Sequence, residues 1–181
     1  MILIIKHIEI EGPGTLGDFF KESTWKTKIV ELNKNERLPA LDDCKAVISL
    51  GGPMNVYEEV KYPFLKDETE FLREAIKRQI PCLGICLGAQ LLAKAAGAEI
   101  KKAKQEEIGW YKVDLTEEGK KDALFNGLKR NLKVFQWHED TFDIPEGGVR
   151  LAESQACPNQ AFRLGRNAYG LQFHVEITPE M

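Results

Sequence analysis

Cys86 stands in Gly84-Ile85-Cys86-Leu87-Gly88, a glycine two positions to each side. A thiol in that setting is a candidate nucleophile for acyl transfer. Such a nucleophile needs a base to move its proton and a group to orient the base. The chain offers three histidines: His7, His138 and His174. His174 falls in Phe173-His174-Val175-Glu176, near the end of a strand-like run. Residues two apart on a strand share a face, so His174 and Glu176 are expected to point the same way. One imidazole nitrogen would then be held by the carboxylate and the other left for Cys86, in the chain order Cys, His, Glu. Acyl transfer also needs N–H donors for an oxyanion. Gly51-Gly52 and the N–H of Leu87, just after the thiol, are the candidates.

The elements that must position these groups can be read from local pattern. An apolar run over residues 80–85 leads into the thiol, and a helix-like run over 89–96 leads out. A residue between strand and helix occupies a tight elbow, and the flanking glycines are needed because a Cβ would collide with the neighbouring strand and helix. The elbow sits at the positive end of a helix, which favours an anion. Short apolar runs predict strands over 1–7, 26–32 and 45–50, the last ending abruptly at Gly51-Gly52-Pro53. Residues 15–22 read as a short helix. Residues 63–79 form the strongest amphipathic pattern, with Phe64, Leu65, Phe71, Leu72, Ala75 and Ile76 at helical spacing. The second half changes character. Residues 107–115, 133–137, 149–152, 161–164 and 168–175 read as short strands, with a helix signal only over 117–128. The expected fold is α/β: a doubly wound, mostly parallel sheet with helices on both faces and added antiparallel strands.

The 181 residues suffice for one domain with a sizeable core, and the 43% hydrophobic content fits a globular chain. The net charge of −3 supplies no basic field for nucleic acid or acidic membranes. The first apolar run is too short for a signal peptide or a membrane span. Four cysteines, Cys44, Cys82, Cys86 and Cys157, match no metal-binding spacing. Reduced thiols in a cytoplasmic protein, with no metal and no cofactor, is the expectation.

Three motifs together resemble the class I glutamine amidotransferases. They are Gly51-Gly52-Pro53, then Gly84-Ile85-Cys86-Leu87-Gly88-Ala89-Gln90, then His174-Val175-Glu176. Glu107-Ile108-Gly109-Trp110 and Gln136-Trp137-His138-Glu139-Asp140 look like the free-standing group labelled GMP-synthase-like. The resemblance implies the flavodoxin-like fold of that family and a reaction. Cys86 would attack the side-chain amide of L-glutamine, His174 would protonate the departing nitrogen, and Glu176 would orient the imidazole. It further implies Gly52 and Leu87 as oxyanion donors. Gly51, Gln90, Trp137, His138 and Glu139 would form the substrate-binding set. A separate synthetase or acceptor subunit would take the ammonia. Most relatives carry proline between the triad histidine and glutamate, where this chain has Val175; relatives also tend to carry glycine or serine beside the histidine that Trp137 and Glu139 flank here.

Plainer readings stand beside these. Cys44, Cys82 and Cys157 read as small buried hydrophobes. His138 could line the pocket mouth, touch a partner or cap a loop, and His7, at the end of the first strand, could approach the site but reads first as packing. Lys101-Lys102-Ala103-Lys104 reads as a solvated face. Two other functions use the same residues: a γ-glutamyl peptidase or hydrolase with the same triad, and a non-catalytic module on an inherited scaffold. The expected organisation is a single amidotransferase domain over 1–181 that stops at Met181 without the helix with which the family usually continues.

Overall fold

Isoleucine- and valine-rich runs become the central strands of a nine-stranded sheet. In chain order they are β1 (Ile2–Lys6), β2 (Thr27–Glu31), β3 (Ala46–Ser49), β4 (Cys82–Ile85), β5 (Ile100–Leu115), β6 (Asn131–Phe142), β7 (Gly148–Glu153), β8 (Ala161–Leu164) and β9 (Ala168–Leu171). The helices are α1 (Gly14–Glu22), α2 (Phe64–Lys77), α3 (Leu87–Ala95) and the short α4 (Glu117–Lys121). The structure is a computed structural model and describes residues 1–179; the expectation about the chain's end at Met181 lies outside them.

Strand order is β2-β1-β3-β4-β9-β8-β7-β5-β6. The first five strands are mutually parallel, and the last four attach antiparallel. Helices cover both faces of the parallel part. Leu3 and Ile5 of β1 pack with Leu65 and Leu72 of α2 and with Leu91 of α3. Ile2 and Ile4 point the other way, toward Leu16 and Phe20 of α1. This alternation is why β1 reads as a continuous apolar run: both of its faces are buried. A third cluster, including Val113, Leu151 and Phe173, forms the core of the antiparallel extension. The expected α/β architecture is therefore present.

Three expectations about element bounds are corrected. β9 ends at Leu171 and does not reach residue 175, because its pairing with β4 and β8 stops there. β5 begins at Ile100, seven residues earlier than its apolar pattern suggests. Residues 101–106 are nearly all polar, and pairing with β6 at residues 100–102 and again from Glu107 brackets them within the strand. The helix over 117–128 shrinks to α4 and a 3-10 turn at Ala123–Phe125. Asp122 ends α4 by accepting from the Leu124 N–H and pairing with Arg163 at 2.7 Å.

Candidate active site

The elbow forms as its glycines demand. Cys86 has φ 52° and ψ −109°, a backbone state that L-residues avoid and that surrounding structure must enforce. A Cβ at Gly84 would strike the Gly88 carbonyl at the start of α3, and one at Gly88 would strike the Ser49 carbonyl at the end of β3. The N–H of Cys86 donates to the Leu171 carbonyl at 2.8 Å, so β9 braces the turn from its other side. The thiol lies 3.6 Å from the Trp137 carbonyl and 3.9 Å from Gln172 Nε2.

Because β4 and β9 are parallel and in register at Ile85 and Leu171, the segment after β9 arrives beside the elbow. His174 is placed there by its N–H, which donates to the Phe135 carbonyl of β6 at 2.9 Å. It sits in an isolated bridge beyond the strand, so strand periodicity does not account for the shared His174–Glu176 face, although the pair forms. Nδ1 of His174 donates to Glu176 Oε1 at 2.7 Å, and the Val175 N–H donates to Glu176 Oε2 at 2.9 Å. Nε2 is left without a well-formed hydrogen bond among the described residues, and it faces the Cys86 thiol. Burial acts to lower the pKa of His174, but hydrogen bonding and charge from Cys86 and Glu176 outweigh it and raise the value to about 10. An imidazole so placed can exchange a proton with the thiol's neighbourhood while the carboxylate fixes its tilt.

Gly52 and Leu87 line the same cavity as Cys86. Among the described residues, no protein group accepts from the backbone N–H of either. Gly51 lies behind them. Its carbonyl is 2.9 Å from His7 Nδ1, and its Cα is wedged between Glu11 and the His174 ring. It does not line the main cavity, and its part is to shape the loop.

That cavity has a volume of about 290 Å³. This is near the small end of ligand pockets, roughly 300–1,000 Å³. Gln90, Trp137, His138 and Glu139 all border it. Their side chains have different fates, set by the alternation along β6. Gln136, His138 and Asp140 face inward; Trp137 and Glu139 face outward. His138 is consumed internally: Nδ1 donates to the Asp140 carbonyl at 2.9 Å and Nε2 lies 3.1 Å from Glu107 Oε2. It holds β6 to β5 while the residue still borders the cavity. Glu139 pairs with Lys102 at 3.1 Å, which also reaches Asp140 at 3.0 Å. One lysine of the expected solvated face thus belongs to the cavity rim. Gln90 donates to the Asp140 carbonyl at 3.2 Å and to Gln172 Oε1 at 3.4 Å.

Cys44, Cys82 and Cys157 are buried free thiols. Burial pushes all three upward, Cys82 to about 12, which suits packing and not nucleophilic work. Glu107, His138 and Cys157 bring potential metal-ligating atoms within 4.8 Å of one another. Each is already engaged: Glu107 by Gln160 at 2.6 Å and by His138, Cys157 by Thr141 at 3.1 Å. No helix among the described residues is long and apolar enough to cross a membrane.

Two acidic residues of the site are absent from the set expected on sequence grounds. Glu11, in the turn before α1, is largely buried beside His174, and burial pushes its carboxyl pKa up. Glu68 is fully buried against His7 at 2.7 Å. A signal for it existed: it lies three residues after Leu65 and four before Leu72, on the apolar face of α2.

Residues 16–181 match the family model "Glutamine amidotransferase class-I". A glutamine amidotransferase-like protein of Salmonella typhimurium is 34% identical over 97% of this chain and 75% of its own length. A subunit of the glutamine-hydrolysing GMP synthase of Sulfolobus acidocaldarius is 34% identical over 82% of this chain and 76% of its own. A crystal structure of a glutamine amidotransferase from Thermotoga maritima superposes with TM-score 0.91 at 44% identity, covering 97% of this chain and 76% of that one.

Proposed function

The chain belongs to the class I glutamine amidotransferase family, and from that premise we propose that it hydrolyses the side-chain amide of L-glutamine through Cys86, His174 and Glu176. The observation that carries the reading is the elbow thiol, which borders an amino-acid-sized cavity on one side and on the other shares a smaller cavity with a carboxylate-held imidazole. The Cys86 sulfur, as thiolate, adds to the amide carbon, and the carbonyl electrons move onto oxygen. The N–H groups of Gly52 and Leu87 receive that oxyanion. His174 passes its Nε2 proton to the amide nitrogen, ammonia leaves, and a γ-glutamyl thioester remains. Water then attacks the thioester as His174 takes up its proton, and glutamate departs with the thiolate restored. Glu176 keeps Nδ1–H oriented throughout. Gln90, Trp137, Glu139 and the backbone at His138 border the end of the cavity assigned to the substrate's amino-acid group. By analogy with the synthase subunit from Sulfolobus, the ammonia passes to a separate synthetase chain.

A second reading draws on another observation. A smaller cavity, about 140 Å³, opens on the His174 side of the thiol and is lined by Ile8, Ile10, Glu11 and Pro53. His174 serves the leaving group, so this space is where a leaving amine larger than ammonia would sit. A γ-glutamyl amide or peptide is then the substrate.

One assay separates these. Glutamate release is measured from glutamine and from γ-glutamyl dipeptides, with wild type and Cys86→Ser, alone and with candidate synthetases. Glutamine turnover that rises with a synthetase and vanishes in Cys86→Ser is the expected result. Turnover restricted to γ-glutamyl dipeptides selects the second reading. Turnover indifferent to Cys86→Ser sinks both.

A further inference from the structure

His7, Glu68 and Ser49 form a buried polar chain that the chemistry above does not use. His7 and Glu68 are 0% exposed and Ser49 is 1% exposed. They come from three elements: His7 from just after β1, Ser49 from the end of β3, Glu68 from the middle of α2. Ser49 Oγ donates to Glu68 Oε1 at 2.6 Å, and His7 Nε2 lies 2.7 Å from Glu68 Oε2. His7 Nδ1 lies 2.9 Å from the Gly51 carbonyl oxygen. A carbonyl can only accept, so Nδ1 must carry a proton. With Ser49 already donating to the carboxylate, a charged His7–Glu68 pair gives every group a matching partner. Burial acts to lower the His7 pKa, and Glu68 with the Gly51 carbonyl outweighs it, so the net shift is upward.

The consequence falls on one peptide plane. No peptide bond among the described residues is cis, so the Gly51 C=O and the Gly52 N–H point in opposite directions. Glycine offers no side chain to hold that plane, and a bare Gly-Gly peptide flips readily. We propose that His7, clamped by Glu68, is a positioning residue: by holding the Gly51 carbonyl on the core side, it aims the Gly52 N–H into the cavity at Cys86. This rests on the oxyanion role proposed above for Gly52. It also gives a reason for spending a buried ion pair at this place. A hydrophobic trio of the same shape would pack as well, but could not hold a carbonyl.

The test uses two amides of different reach. Asn at position 7 places its amide N–H near the site of Nδ1 and can still donate to Gly51. Gln at position 7 places its amide near the site of Nε2, meeting Glu68 and leaving the Gly51 carbonyl free. Both variants lose the imidazolium charge, and His7→Asn also leaves the buried Glu68 carboxylate without its partner, so a merely structural role predicts the larger loss of activity and stability in His7→Asn, an outcome that overturns the proposal. Positioning predicts that His7→Gln lowers kcat on glutamine or a γ-glutamyl dipeptide by about a hundredfold, as for loss of one oxyanion donor. It also predicts that His7→Asn recovers most of that loss, with KM nearly unchanged in both. Equal kcat values for the two variants overturn the proposal. A crystal structure of each variant gives a second readout that needs no turnover. A reoriented Gly51–Gly52 peptide in His7→Gln, and a native one in His7→Asn, supports the proposal, whereas an unmoved peptide in His7→Gln overturns it. Should wild type cleave no γ-glutamyl bond, the proposed function falls while the crystallographic comparison still decides the positioning claim. Should His7→Gln fail to fold, Glu68→Gln takes its place: it keeps the side-chain shape and weakens the clamp, with the same peptide orientation as readout.

Discussion

At Cys86 the backbone holds a positive φ that the surrounding contacts must enforce, and at His174 an imidazole is pulled far from its ordinary protonation range. The pKa near 10 is expected to fall in Glu176→Gln, because the carboxylate's hydrogen bond and charge are both lost while the upward pull of Cys86 remains; an NMR titration of His174 reads this directly. The same variant should cut kcat by roughly a thousandfold or more, since an amide in that place no longer stabilises the imidazolium. The shift also has a stability consequence. A histidine whose folded pKa exceeds its unfolded value stabilises the fold fully below the unfolded value, and that contribution is lost as pH rises through the folded one. Urea midpoints of wild type should therefore decline between pH 6.5 and about 10, and those of His174→Gln should decline less. Cys86, His174 and Glu176 were legible in the sequence as candidates because a glycine-flanked cysteine and a His-x-Glu are local patterns. Glu11 was not, because its burial depends on a loop folding over His174 from a distant part of the chain.

Among the elements, the junction of β3, β4 and α3 leaves no room for a side chain at Gly84 or Gly88. Gly88→Ala would drive a methyl group into the Ser49 carbonyl, so the helix must shift or β3 must bend. A loss of about 1–3 kcal/mol is expected, the usual range for overpacking, with activity falling further as Leu87 N–H moves. Chemical denaturation together with the hydrolysis assay measures both. The central parallel strands β1 and β3 were legible because burial on both faces leaves nearly unbroken apolar runs such as residues 2–5. The long β5–β6 ladder was legible only in part. Its outer half carries Lys101 and Lys102, whose polarity says nothing of strand, and their pairing with Thr141 and Asp140 of β6 makes them extended. The end of β9 was overrun for the converse reason. Phe173 and Val175 continue an apolar alternation after the sheet neighbours have stopped, and Phe173 is buried in the extension's own cluster.

For the molecule as a whole, the cavity is a seam: Cys86 comes from the parallel half and the facing wall, Trp137 to Asp140, from the antiparallel half. Glu107 is the rivet on the far side, receiving His138, Ser154 and Gln160 from three segments. Glu107→Ala would leave those donors buried and unpaired, at a cost of about 3 kcal/mol or more. Thermal unfolding should show that loss, and KM should rise, because the wall that borders the substrate is no longer held. The chain has three tryptophans, Trp25, Trp110 and Trp137, all more than half exposed to water. Only Trp137 borders the cavities at the thiol. An occupant there strips solvent from a single indole while the other two stay wet, so the empty and the filled protein emit light of different colour, and the chain carries its own optical gauge of occupancy.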